Sequence, residues 1–256
     1  MTLAELLRTY RIWLISALLG YSIFLILNIP ASSLFHQLST YGITASRSSG
    51  SIWHGQIHGL HVGEIDIGEV NWQLRLMPLI KGQLSADIKV NRPDGNLNAQ
   101  IGINIFGLIQ IKNLDATLSL NSLMNTKKTT DSWAGTLRAK FTEVDIKNNL
   151  PISAKGTLDI LDLTGPAQKS INMGSYRITF PARSSNTEAL IGDIKNLEGA
   201  NLIVSGQFKL TRDRNYLLDT QLIAQPDAPP NIKSALQYLG AADSQGRHPL
   251  SIAGSF

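Results

Sequence analysis

The run Ile12–Ile29 carries no charged residue and constrains this chain more than any other segment. About eighteen helical residues reach ~27 Å, close to the thickness of a bilayer core. Arg8 and Arg11 stand just before the run, and no charge follows until Arg47. The positive-inside bias then makes residues 1–11 a cytoplasmic tail, 12–29 a transmembrane anchor, and places the remainder across the membrane. A cleaved signal peptide would share the basic start. Its apolar part would span only ~7–15 residues and end at a small-x-small site, which Ile29-Pro30-Ala31 is not. An uncleaved anchor is therefore the expectation. Tyr10 and Trp13 occupy the place of interfacial aromatics.

About 220 residues follow the anchor, enough for one sizeable β domain or two small ones. The formal net charge is +4, and the Lys and Arg residues are scattered rather than clustered. That distribution describes a solvated surface, and no nucleic-acid partner is expected. The chain has no cysteine, so disulfides, a thiolate metal site and a cysteine nucleophile are all excluded. Beyond the anchor, ATP and NAD(P)H are not normally supplied.

Residues 30–43 read as a stalk, with Ala31–Tyr41 able to extend the helix until Gly42. From there the hydrophobic period becomes two. Val70, Trp72, Leu74 and Leu76 alternate with polar residues, as do Ile101, Ile103 and Ile105, then Leu114, Ala116, Leu118 and Leu120, then Leu158 and Ile160, then Leu202 and Val204 followed by Phe208 and Leu210. One buried and one wet face follow from such alternation. Turn signals at Gly63, Lys81-Gly82, Pro93-Asp94-Gly95, Asn148-Asn149, Gly165-Pro166, Gly199 and Arg212-Asp213 recur at hairpin spacing. The expected fold is all-β: a curved antiparallel sheet, or open barrel-like domain, over residues 44–256. A polar loop at Asn121–Asp131 offers a subdivision. After Asp227-Ala228-Pro229-Pro230, the spacing of Ile232, Ala235, Leu236 and Leu239 predicts a short amphipathic helix ending at Gly240. Leu250–Phe256 reads as a last strand. Gly55, Gly135 and Gly156 sit in similar Gly-polar-aliphatic settings, where a glycine lets a strand bend.

Chemistry is sparse. Gly-x-Gly-x-x-Gly, Gly-Lys-Ser/Thr and Gly-x-Ser-x-Gly are all absent. Glu64, Asp66 and Glu69 read as wet-face carboxylates. His54, His58 and His61 form the one metal candidate. On a regular strand His54 and His58 share a face and His61 points away, which is too few ligands for a site. Trp53, Trp72 and Trp133 read as anchors of a β core rather than ligand-stacking rings. No catalytic, cofactor-binding or metal residue is assigned.

Three segments carry more than β patterning. Ser49-Gly50-Ser51-Ile52-Trp53-His54-Gly55 precedes Ile67-Gly68-Glu69-Val70-Asn71-Trp72-Gln73-Leu74 and then Pro78-Leu79-Ile80-Lys81-Gly82-Gln83-Leu84. This resembles the protein N family of the bacterial type II secretion system, with its Gly-x-x-Trp-x-Gly turn, Gly-x-Val-x-Trp strand and Leu/Ile-x-Gly-x-Leu strand. Pro151–Leu163 resembles the family's middle strand. Leu239-Gly240, Gly246-Arg247, Leu250 and Gly254-Ser255-Phe256 resemble its end. The resemblance implies an inner-membrane, periplasm-facing accessory component of a protein-export machine. It implies other secretion-system proteins as partners and no catalytic residues. A lipid-binding or lipid-conducting groove of the AsmA-like kind is the competing reading, with lipid as ligand.

Overall fold

The computed structural model describes residues 3–33, 42–63, 65–124, 133–165, 171–181, 189–197 and 199–255. Two compact units divide the chain, residues 1–74 and 75–256. Helix α1 spans Leu3–Leu27. It stops short of the end of the apolar run because Pro30 has no N–H to donate and restricts the residue before it. Asn28 closes the last turn, its Nδ2 donating to Phe24 O at 2.8 Å. The helical part of the run, Ile12–Leu27, is thus about sixteen residues or ~24 Å long. Among the described residues no helix is long and apolar enough to cross a membrane. The side chains of Trp13, Leu14, Ile15, Leu18, Leu19 and Phe24 are nonetheless exposed. Of the expected stalk, Ala31–Ser33 forms one more helical turn, and residues 34–41 lie outside the described residues.

In the first unit β1 (Ile43–Gly50), β2 (His54–Val62) and β3 (Ile65–Arg75) form an antiparallel meander. The β1–β2 turn holds the end of α1: Trp53 Nε1 donates to Ile26 O at 2.9 Å, and Ile52 N–H to Ile29 O at 3.0 Å. Gly55 pairs directly with Trp72, whose indole lies where a Cβ on Gly55 would stand. The indole Nε1 donates to Ile52 O at 3.0 Å. Trp53 and Trp72 are therefore built into the framework of this unit.

The second unit is a ten-strand antiparallel meander: β4 (Gln83–Arg92), β5 (Gly95–Asn104), β6 (Ile109–Ser119), β7 (Ala134–Lys147), β8 (Leu150–Gly165), β9 (Ile171–Phe180), β10 (Ala189–Asn196), β11 (Leu202–Thr211), β12 (Asn215–Ala224) and β13 (His248–Ser255). Each strand pairs with the next in sequence. The expected turns at Gly63, Lys81-Gly82, Pro93-Asp94-Gly95, Asn148-Asn149 and Arg212-Asp213 are where the chain reverses, and Pro166 lies outside the described residues. Asn148 and Asn149, with φ of 52° and 60°, form a two-residue hairpin of the kind that matches strand twist. β6 and β7 pair directly across the segment 121–131, where Leu120–Met124 forms a short helix and residues 125–132 lie outside the described residues. The predicted amphipathic helix is present as Pro230–Gln237, with Ile232 and Leu236 buried.

Register separates the two faces. One cross-strand row runs Val90, Leu97, Ala116, Ala139, Leu158, Ile178, Ile194, Gly206, Thr220, Leu250. The neighbouring row runs Lys89, Asn98, Asp115, Lys140, Thr157, Thr179, Asp193, Gln207, Asp219, Ser251. Side chains alternate between faces, so the first row lies on an apolar face and the second on a polar one. Thr220, the lone polar member of the first row, satisfies its hydroxyl by donating to Leu250 O at 3.2 Å.

The ladder is bent between β8 and β11. Arg214 in the β11–β12 turn donates from Nη2 to Asn148 O in the β7–β8 turn at 3.2 Å. A flat ladder would hold those turns four strands, or ~19 Å, apart at ~4.8 Å per strand.

Candidate binding surface

The apolar face of the second unit is the candidate binding surface. Phe141 and Phe180 meet on it with ring centroids 5.7 Å apart. Gly156 lies between them in the ladder, paired with both residues. Ala99, Ala116, Ala154, Tyr176, Ile194, Leu210 and Leu222 are buried. Most other aliphatic residues of this face are half-buried, and Leu84, Ile103 and Ile252 near its edges are exposed. Among the described residues no large side chain is fully buried. The face therefore keeps apolar surface available for a ligand or partner.

At one end of the sheet, apolar residues stand clear of the fold. The 3₁₀ turn Met77–Lys81 leads into β4, and Gly82 ends it in the left-handed conformation at φ 69°. The β5–β6 turn lies beside it: a Cβ on Gly82 would be 3.4 Å from Ile105 Cγ2. Asn104 Oδ1 fixes this second turn by accepting from Phe106 N–H at 2.9 Å and Leu108 N–H at 3.0 Å. Met77, Ile80, Ile105 and Phe106 are 80%, 84%, 78% and 80% exposed. The alternation in the sequence puts Leu76 and Ile105 on the buried face of strands; the structure corrects this, because β3 ends at Arg75 and β5 at Asn104, which leaves both residues in turns and exposed. The signal for the first turn was the break in alternation at Leu76–Ile80, where apolar residues continue outside any strand.

The polar face is laced with ion pairs. Arg177 grips Asp159 with two hydrogen bonds, Nε to Oδ1 at 2.7 Å and Nη2 to Oδ2 at 2.8 Å. Asp159 is 5% exposed. The Arg177 hydrogen bonds hold its carboxyl below the usual aspartate value and push the guanidinium higher still. The Tyr176 hydroxyl lies within hydrogen-bond reach of Met173 O and Leu202 O, and burial pushes its pKa up to about 12. These groups cross-link strands of the ladder.

The sequence candidates are placed apart. His58 Nδ1 is 3.3 Å from Glu69 Oε1, His61 Nε2 is 3.8 Å from Asp66 Oδ1, and His54 Nδ1 is 3.5 Å from Ser51 Oγ. Each histidine thus has its own neighbour. Among the described residues no group of three or more His, Cys, Asp or Glu could hold a metal ion. Glu64 lies outside the described residues. Trp133 lies beside Gly165, where a Cβ would stand 3.7 Å from the indole.

Comparison with known proteins decides the family. The model for type II secretion system protein N matches residues 41–251. The chain belongs to the type II secretion system protein N family. A protein N of Aeromonas hydrophila is 26% identical over 246 residues, covering 93% of this chain and 95% of that protein. The protein N of Vibrio cholerae serotype O1 is 23% identical over 231 residues, covering 83% and 85%. No solved structure matches. The protein N match runs through both units, from the start of β1 into β13, so the family fold includes the whole meander. The resemblance read from Trp53, Trp72 and the Lys81-Gly82 turn is thereby confirmed, and the chain is a component of type II secretion.

Proposed function

We propose that this chain is an inner-membrane accessory component of the type II secretion system, anchored through residues 12–29, and that its periplasmic β domain acts by binding other proteins of that system. One observation carries the binding reading: β13 ends the ladder and pairs with β12 alone among the described residues. A terminal strand presents unpaired N–H and C=O groups, which a partner strand satisfies at little cost in order. The anchor reading rests on the Arg8/Arg11 asymmetry and on the exposed apolar side chains of α1. Photo-crosslinking in cells, with probes at Ser251 and Ala253 of β13, is expected to give discrete adducts with secretion-system proteins. The absence of such adducts, with normal export at native expression after deletion of the chain, would reject this function.

A second reading is favoured by the apolar face itself. Its aliphatic rows cross all ten strands of the second unit and remain half-exposed, which suits lipid tails as well as a protein segment. Probes at Ile103 and Ile252 separate the two. Phospholipid adducts there without protein adducts would support a lipid groove of the AsmA-like kind.

A further inference from the structure

We infer that Leu76, Met77, Ile80, Ile105 and Phe106 form a membrane-contacting surface that seats the second unit in the interfacial layer of a phospholipid bilayer. The inference rests on the anchoring read for α1 and adds a second contact with the same membrane. Its first support is exposure. Four of these side chains are 78–84% exposed, although they are among the most apolar in the chain. Scattered single exposures are ordinary on a protein surface, whereas a contiguous group is not. The two turns are neighbours, since a Cβ on Gly82 would touch Ile105.

The second support is shape and charge. The residues sit on the tips of two turns and project outward, so they offer pegs rather than a pocket. A fluid interface accepts pegs of any shape, and a specific protein contact is built around enclosed anchors. Segments 76–83 and 104–110 contain a single ionisable residue, Lys81, which is exposed. A lysine at the margin of an apolar cluster keeps its ammonium among anionic headgroups while its stem lies with the acyl chains. A carboxylate there would be repelled by the same surface.

The chain has no cysteine, so a single introduced thiol labels uniquely. Full-length variants Met77→Cys, Phe106→Cys, Leu18→Cys and Asn98→Cys would carry an environment-sensitive fluorophore in vesicles of phosphatidylethanolamine and phosphatidylglycerol. Circular dichroism would confirm that each keeps its strand signal. Labels at Met77 and Phe106 are expected to shift to the blue, to be quenched by brominated lipid and to resist aqueous iodide. The label at Asn98, on the polar face, is expected to show the reverse. If Leu18 is quenched by lipid while Met77 and Phe106 are quenched by iodide, the second contact is refuted and the anchor stands. If Met77 and Phe106 are quenched by lipid while Leu18 is not, the contact stands and the anchor is refuted. Shielding of Met77 and Phe106 from both quenchers would assign the patch to a protein partner and overturn the inference.

Discussion

Gly156 is a position where one added carbon should cost heavily. It lies on the apolar face between two aromatic residues, paired with Phe141 on one side and Phe180 on the other. A Cβ there would stand 2.6 Å from Phe141 Cα and 2.8 Å from Phe141 Cδ1, and would also press on the Lys140 carbonyl oxygen. Carbon atoms rest at about 3.5–4.0 Å, so the β7–β8 ladder must open by roughly 1 Å. Backbone cannot rotate aside as a side-chain tip can. Overpacking of this sort costs about 1–3 kcal/mol, and displacing Phe141 from Phe180 forfeits another ~0.5–1.5 kcal/mol. Gly156→Ala is therefore expected to destabilise the domain by about 2–4 kcal/mol. Urea unfolding of the detergent-solubilised chain, followed by tryptophan emission, would measure it. In a Phe141→Ala background the cost should fall but not vanish, because the Lys140 carbonyl still obstructs the Cβ. A loss below ~0.5 kcal/mol in the otherwise native chain would show that the ladder yields freely and would refute the packing argument.

Asp159→Asn is expected to cost about 1–2 kcal/mol at neutral pH, at the low end for a charged hydrogen bond because Arg177 is half-exposed. The folded carboxyl titrates below its unfolded value, so its contribution is complete above about pH 4 and is lost as pH falls through the folded value. The gap between native and variant chains should thus close in acid, and a gap unchanged down to the lowest pH at which the chain stays folded would contradict the pairing. Trp72→Ala should cost about 2–3 kcal/mol, less than a fully buried indole because the ring is half-buried. A loss under ~1 kcal/mol would place that ring outside the framework. A reporter active only in the cytosol, fused after Phe256, should be silent; strong signal would overturn the proposed topology.

The sheet was legible because a half-wet strand must alternate. Even its irregularities left a mark. In β6 the apolar residues are Ile109 and Ile111, then Leu114, Ala116 and Leu118, so the phase slips by one at Asn113. Asn113 has φ 51°, the left-handed conformation that asparagine tolerates. In β7 the same slip separates Phe141 from Val144 and coincides with a register shift against β8. An extra residue restores the apolar face instead of inverting it. The role of the strand glycines was read as bending. The structure adds a steric role, since Gly55, Gly156 and Gly254 lie under Trp72, Phe141 and Tyr216 on neighbouring strands. That pairing depends on register between strands, which no single strand's pattern contains. Apolarity alone does not show where α1 ends: the helix stops at Leu27, inside the apolar run, where Pro30 limits it. The exposed turn patch was missed for another reason: periodicity finds what a fold buries and is blind to what it leaves out.

A sheet that buries its large side chains only partly gains less from water exclusion than a two-layer domain of the same length. Its hydrogen-bonded ladder and in-plane neighbours must supply more of the cohesion, which is why glycine–aromatic pairs and the Asp159–Arg177 cross-link recur across strands. The apolar area that folding leaves half-exposed is also the area whose coverage would reward a partner. Substitutions in the middle rows, such as Ile178 or Ile194, consequently disturb folding and binding together and cannot separate them. The exposed margin can. Leu84, Ile103 and Ile252 contribute least to the folded state while standing on the same face. A polar residue at those positions changes what the face offers to a ligand and leaves the ladder beneath it intact, so the margin, not the centre, is where the function of this sheet is open to dissection.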